Sequence, residues 1–107
     1  MALHTVIRPK AAREIARQAK YLAREASPAV ARRFLKAFAK SLTQLASMPE
    51  LGSVYEFDNP RLSGVRVWPV QRFRNYLIFY RDNEESVEVL HLFHGSRDIE
   101  GLLEDVE

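Results

Sequence analysis

The spacing of apolar residues changes from a helical period to a strand period in the middle of this 107-residue chain, and that change constrains the fold more than any other feature. Up to about residue 45, apolar side chains recur every three or four residues, as they do on one face of a helix. After about residue 65 they recur at every second residue, as on one face of a strand. A chain of this length usually forms one domain. The pattern therefore predicts a single domain, residues 1–107, whose helices precede most of its strands.

The first part of the chain is predicted to be a strand followed by a helical hairpin. Leu3 to Arg8 is short and apolar-rich, and Pro9 can begin a helix because its missing N–H would have no partner in the first turn. Ser27-Pro28 interrupts the helical pattern, and the serine is suited to capping a second helix. The predicted apolar stripes are Ala12, Ile15, Ala16, Ala19, Leu22 and Ala23 on the first helix and Ala31, Phe34, Leu35, Phe38, Leu42 and Leu45 on the second.

The second part predicts three strands and a short terminal helix. The strands are Val65 to Val70, Tyr76 to Arg81 and Val87 to His94, with a loop at 48–63 and a polar hairpin turn at 82–85. Pro69 cannot donate to a ladder, so an edge or a bulge is expected there, and residues 98–106 have a helical pattern. The fold class is α+β: an N-terminal strand, a helical hairpin packed on a mostly antiparallel sheet of about four strands, and a short C-terminal helix. The predicted core includes Ile15, Leu22, Phe34, Phe38, Leu42, Ile78, Val89 and Leu90.

Charge is distributed unevenly along the chain. Residues 1–40 carry ten Lys and Arg against two Glu, residues 61–81 carry five Arg and no acid, and residues 82–107 carry nine acids against one Arg. This asymmetry indicates an anionic partner, either nucleic acid or an acidic protein, although solvated helix faces would give the same pattern. The chain has no cysteine, no apolar run long enough to span a membrane and no signal-peptide pattern at its start, so a cytoplasmic location is expected.

Few residues are suited to chemistry. Three scattered histidines, no cysteine and four dispersed glycines give no metal site, no phosphate loop and no nucleophile motif, so no cofactor is expected. Cations and a histidine could instead support RNA cleavage by stabilising a charged phosphorus centre and moving a proton. The opposite interpretation is that they are rim charges and a hydrogen-bonded strand-end residue. The residues expected to cluster at one end of the sheet are Arg66, Arg72, Arg81, His94 and Arg97.

Two stretches of this sequence resemble the RelE/ParE toxins of bacterial type II toxin–antitoxin systems. They are VWPVQRFRNYLIFYR and, after a polar hairpin, VEVLHLFHGSRDIEGLL. The helical hairpin and the LASMPELG segment that ends it are also similar, so the resemblance covers nearly the whole chain. It implies a compact α+β domain with the element order derived above.

The resemblance separates two activities. RelE-type members cut messenger RNA in the ribosomal A site with strand lysines and arginines and often a C-terminal tyrosine, whereas ParE-type members poison DNA gyrase. When this sequence is aligned with RelE-type members, Trp68 and Val70 stand where those toxins have two strand lysines, and Leu77 stands where they have an arginine. Leu103 lies near the position of their C-terminal tyrosine. Only Arg97 is retained. The alignment favours a ParE-like, non-nuclease toxin. No catalytic residue is assigned; for the nuclease alternative the set would be Arg72, Arg81, His94 and Arg97. A plain nucleic-acid-binding module that uses the basic helices is the third hypothesis.

The resemblance also implies a partner, an antitoxin of the ParD-like or another family whose C-terminal segment folds as it wraps the toxin. Such a segment needs apolar contacts to offset its ordering entropy and charges to steer it. The expected assembly is a heterodimer or a dimer of heterodimers, and the expected target is gyrase, or the ribosome and mRNA for the alternative. The predicted partner-binding residues are Arg13, Arg17, Arg66 and Arg97 with the aromatic residues Tyr55, Phe57, Trp68 and Phe73.

Overall fold

The computed structural model describes residues 2–56 and 60–95. The N-terminal strand β1 spans His4–Ile7 and is followed by two helices, α1 at Pro9–Glu25 and α2 at Pro28–Ser47. Pro9 lies in the first turn of α1, and the Ser27 side chain caps α2 by accepting a hydrogen bond of 3.1 Å from the backbone N–H of Val30. The break and the cap predicted at Ser27-Pro28 are therefore confirmed.

The sheet contains five strands rather than about four. β2 (Ser53–Val54), β3 (Arg66–Val70), β4 (Phe73–Asp82) and β5 (Ser86–His94) join β1 in the order β1-β5-β4-β3-β2. Only the β1–β5 pair is parallel, so the α+β class and the mostly antiparallel sheet are confirmed. The additional strand and two single-turn 3-10 helices, Pro49–Leu51 and Pro60–Leu62, lie in the segment expected to be a loop. The predicted C-terminal helix at 98–106 lies outside the described residues.

Two irregularities reshape the ladder. The register shifts between Pro69 and Val70, which confirms the predicted bulge, because proline has no N–H for that position. Phe79 of β4 pairs with His91 of β5, but the next residue, Tyr80, pairs with Val89. Leu90 is therefore an extra residue on β5. The hairpin turn before β5 is held by the Asn83 side chain, whose Oδ1 accepts from the backbone N–H groups of Glu85 and Ser86.

The hydrophobic core lies on both faces of the sheet. The main cluster joins the helical hairpin to one sheet face, and Phe34 is fully buried there against Tyr76 and Phe73, with ring centroids 5.0 and 5.5 Å away. A second cluster on the opposite face is formed by Leu62, Val65, Phe79, Leu90 and Phe93. Seven of the eight predicted core residues are buried, and the eighth, Leu22, is half-buried against the main cluster.

Candidate functional site

The residues proposed for RNA cleavage do not form one cluster. Arg72 and His94 line the same depression at the β3–β4 turn, whereas Arg81 lies five residues beyond Tyr76 on β4, about 16 Å along the strand. The Arg81 side chain instead donates to the backbone carbonyl of Arg61. The expected cluster was wrong because an antiparallel hairpin places the start of β3 beside the end of β4, so Arg66 and Arg81 share the end opposite to Arg72. Arg97 lies outside the described residues.

The three strand positions that the resemblance aligns with cations of RelE-type nucleases have packing roles here. Val70 is fully buried in the main cluster, and Trp68 is half-buried against it. Leu77 is half-buried against the second cluster. Each of these side chains replaces a group that could neutralise a phosphate with one that excludes water. The strands therefore build core at positions where a nuclease presents charge.

The predicted partner-binding residues are spread over several surfaces. Arg13 and Arg17 are exposed on α1, and Tyr55 is 40% exposed beside the end strand β2, with its ring 6.2 Å from that of Phe79. Arg66 is held in place, because it donates to the Gly52 carbonyl at 2.7 Å and lies 3.9 Å from Asp82. A partner-binding role for Trp68 and Phe73 would need exposed side chains, but both are half-buried because they pack on the main cluster. Phe57 is outside the described residues.

Sequence reasoning missed a continuous basic surface at the β3–β4 end of the molecule. Three depressions of about 610, 450 and 380 Å³ adjoin one another: the first two share Tyr76 and His94, and the last two share Arg72 and Phe73. No Asp or Glu among the described residues lines any of them. We call this surface the cationic groove, and its Lys and Arg residues are Arg17, Lys20 and Arg24 of α1, Arg33, Lys36 and Lys40 of α2, and Arg72 and Arg74 of the turn.

The groove has a sequence signal that could have been found. The cations of α1 occupy positions i, i+3 and i+7, and those of α2 repeat the same spacing, which places each set on one face of its helix. What the sequence did not show is that the β3–β4 turn lies between the two sets. Ser41 fixes that turn to α2, because its hydroxyl accepts from the backbone N–H of Gln71 at 3.1 Å. Arg72 in the turn has a φ of 69°, a left-handed conformation that costs a residue with a Cβ.

Two buried tyrosines stabilise the neighbouring segments. The Tyr80 hydroxyl donates to the Pro49 carbonyl at 2.6 Å and accepts from the Gly52 N–H at 2.8 Å, which ties the segment after α2 to the sheet. Burial raises the pKa of Tyr80, against smaller lowering effects of the Gly52 hydrogen bond and Arg66. Burial also raises the pKa of Tyr76, whose ring lies edge-on to His94 with the centroids 5.3 Å apart, and Tyr21 adds to that shift.

A single carboxylate connects α1 to the irregular part of β5. The Glu14 oxygens accept from the backbone N–H of Leu92 at 3.1 Å and from Nδ1 of His91 at 3.0 Å. His91 and Leu92 are both buried, and β1 pairs with β5 only as far as Val89. Glu14 thus provides the hydrogen-bond acceptor for the edge of β5 beyond the point where β1 ends. His91 is engaged by this contact and lies away from the cationic groove.

Neither a metal centre nor a membrane span is found in the part of the chain that the structure covers. Within residues 2–56 and 60–95, no group of three His, Asp or Glu side chains could hold a metal ion. None of the described helices has the length and apolar character needed to cross a membrane.

Comparison with known proteins identifies a family and shows a similar fold. Residues 6–99 match the family model described as the ParE toxin of the type II toxin–antitoxin system parDE. A solved structure described as the chromosomal ParDE toxin–antitoxin system from P. aeruginosa superposes with a TM-score of 0.70 at 15% identity, covering 87% of this chain and 96% of that chain. Among curated protein sequences, no significant match was found.

Proposed function

Because this chain belongs to the ParE family of type II toxin–antitoxin toxins, we propose that it inhibits growth by poisoning DNA gyrase. The observation that carries the proposal is that apolar, packed side chains occupy the positions aligned with the cations of RelE-type nucleases. At the positions aligned with the lysines of RelE-type toxins, Val70 is a core residue and Trp68 packs against the core, and Arg72 and Arg81 are at opposite ends of β4. Transition-state stabilisation requires several donors around one reacting phosphate. This arrangement favours action through binding rather than through RNA cleavage.

The test is a parallel measurement on the purified full-length chain. Supercoiling by gyrase and ribosome-dependent cleavage of a defined mRNA are followed at matched toxin concentrations. We expect supercoiling to be inhibited, with cleaved DNA accumulating, and the mRNA to stay intact. Intact supercoiling together with mRNA cleavage would overturn the proposal.

The nuclease alternative is supported by one observation. Arg72 and His94 line the same depression, so a cation and a group able to transfer a proton share one surface. The alternative predicts mRNA cleavage that is lost in His94→Ala and reduced in Arg72→Ala. The same two substitutions distinguish it from gyrase poisoning, since the readout is the RNA product itself.

We further propose that a cognate antitoxin neutralises this toxin, in a heterodimer or a dimer of heterodimers. Apolar side chains for such a partner are available on this chain: Val54 of β2 is 54% exposed, the next residue Tyr55 is 40% exposed, and Met48 at the end of α2 is 60% exposed. Arg13, Arg17 and Arg66 would attract an acidic segment, and Trp68 and Phe73 would contribute their exposed portions. Opposite charges accelerate association, while apolar contacts slow dissociation.

Co-expression with the adjacent gene tests the antitoxin proposal. Growth should be arrested by the toxin alone and restored by the pair, and the two proteins should co-purify. The association rate should fall with added salt, and Tyr55→Ser should raise the dissociation rate. Harmless expression of the folded chain alone, with nothing co-purifying from the pair, would contradict the proposal.

A further inference from the structure

The cations of the cationic groove are not explained by the stability of the fold. In the part of the chain that the structure describes, none of the eight forms an ion pair, and no carboxylate lines the groove. Like charges three or four residues apart on a helix repel one another and lower its stability slightly. An arrangement that costs stability and occurs on both helices is typical of a surface that binds an anion.

The shape of the groove fits an extended polyanion better than a small one. The α1 set, from Arg17 to Arg24, extends about 10 Å at the helical rise, and the α2 set has the same length. Each strand of a DNA duplex presents one phosphate per about 3.4 Å of helix axis. Each set therefore covers about three phosphates, and the turn arginines Arg72 and Arg74 lie between the two sets.

The apolar surface needed for a folding protein segment lies elsewhere. The aromatic side chains that line the groove are largely engaged in the core: Tyr76 is 7% exposed, and Phe73 is half-buried against Phe34. Tyr21 is the well-exposed aromatic residue of the groove, at 48%. The other large apolar side chains that are exposed lie mostly near the strands at the two ends of the sheet, including Val6 and Ile7 of β1 and Val54 and Tyr55 near β2.

We propose that the cationic groove binds the phosphate backbone of duplex DNA. The choice of DNA over RNA rests on the proposed function, because gyrase acts on duplex DNA. Contacts of this kind neutralise phosphates and fix position without reading bases, so binding is independent of sequence. The toxin would thereby hold the DNA beside the gyrase that it inhibits.

The experiment measures binding of the purified full-length chain to a fluorescent DNA duplex of about 20 base pairs by anisotropy, over a range of salt concentrations. The logarithm of affinity should fall linearly with the logarithm of salt, with a slope of about −0.9 per phosphate contacted, so four to eight contacts give about −4 to −7. Duplexes of unrelated sequence should bind equally. An RNA duplex of matched length forms the second arm, and we expect it to bind more weakly.

Three groove variants and one matched control assign the binding to this surface. Arg33→Gln/Lys36→Gln/Lys40→Gln should reduce the magnitude of the slope by about 2 to 3 and weaken affinity by on the order of eightfold per lost contact at about 0.1 M salt. Arg17→Gln/Lys20→Gln is a second variant on the other helix. The single substitution Arg33→Gln, in the groove, is paired with the control Arg32→Gln, whose arginine is adjacent and also exposed but does not line the groove; Arg33→Gln should weaken binding and Arg32→Gln should bind as the parent does. Circular dichroism and thermal unfolding verify that each variant is folded.

The outcomes separate this proposal from the proposed function. No measurable DNA binding, equal losses in Arg32→Gln and Arg33→Gln, or tighter binding to RNA would each overturn it. Groove variants that keep DNA affinity but lose the antitoxin would assign the groove to the antitoxin instead, which also overturns it. If DNA binding depends on the groove but the chain does not inhibit gyrase, the DNA-binding role of the groove would be supported and gyrase poisoning would be refuted.

Discussion

Replacing Glu14 with alanine is expected to destabilise the toxin more than any other substitution of an acidic residue on its helices. Glu14 is the acceptor for two buried donors, the backbone N–H of Leu92 and Nδ1 of His91. Both donors lie where β5 carries its extra residue and β1 has ended. The strand supplies no alternative partner for the Leu92 N–H at this position.

The magnitude follows from the two unsatisfied donors. A buried donor left without a partner costs about 1–3 kcal/mol, so two donors cost about 2–6 kcal/mol before relaxation. The higher helix propensity of alanine offsets less than about 0.5 kcal/mol of this loss. Water entering the vacated space would move the loss toward the lower end. We therefore expect a decrease of about 2–4 kcal/mol in the free energy of unfolding, a large part of the roughly 5–15 kcal/mol typical of a domain.

The assay is urea unfolding of the purified chain, with Glu25→Ala as the matched control. Glu25 is an exposed acid in the last turn of α1, and its replacement should change the free energy of unfolding by less than about 0.5 kcal/mol. Glu14→Gln keeps one carbonyl oxygen as an acceptor and should fall between the two alanine variants. Hydrogen exchange should accelerate selectively at the Leu92 amide in Glu14→Ala. If Glu14→Ala and Glu25→Ala unfold at the same urea concentration, with Leu92 still protected, the argument is refuted.

Four other substitutions test single contacts. Tyr80→Phe should lower the free energy of unfolding by about 1–3 kcal/mol at neutral pH. Because burial raises the Tyr80 pKa, the contribution of this group to the stability of the parent is full below about pH 10 and falls as the pH rises through the folded pKa. Urea unfolding at a series of pH values should therefore show a smaller alkaline loss of stability in the variant than in the parent. Gly52→Ala should destabilise by about 1–3 kcal/mol, since its Cβ would lie 2.5 Å from the Tyr80 hydroxyl oxygen, and thermal unfolding measures the loss. Ser27→Ala should lower the free energy of unfolding by about 1 kcal/mol, because it removes the side-chain cap of α2. Arg72→Gly should be more stable than Arg72→Ala by about 1 kcal/mol, because only glycine adopts the positive φ freely; equal stabilities would contradict this.

The helices and four of the five strands could be predicted because their signals are local. Pro9, Ser27 and Pro28 determine where the helices begin, and alternation in β3 to β5 determines which residues face the core. β2 could not be predicted, since two residues carry no period and the strand forms through pairing with Val67 and Arg66. The extra residue on β5 was also missed, because Leu90 is apolar like its neighbours and only the pairing partner reveals the shift.

The candidate site was predicted less well than the fold for a related reason. Whether two cations lie together depends on strand direction and register, which are not visible in either residue alone. Arg66 and Arg72 are six residues apart in sequence and lie at opposite ends of one hairpin. The spacing of cations on α1 and α2 was visible, but its meaning required the turn that Ser41 fixes beside α2.

The distribution of roles between strands and helices fits the proposed action of this chain through binding. At the strand positions where a nuclease needs charge, this chain has Trp68, Val70 and Leu77, and restoring a lysine at Val70 would place a cation in a fully buried site. The exposed cations of α1 and α2 have no such constraint, because they contribute to neither hydrophobic cluster. Surface charge can therefore change with the partner while the core stays fixed. Introducing the strand cations of a nuclease would require repacking both faces of the sheet, whereas a change of anionic partner requires only substitutions on the helices.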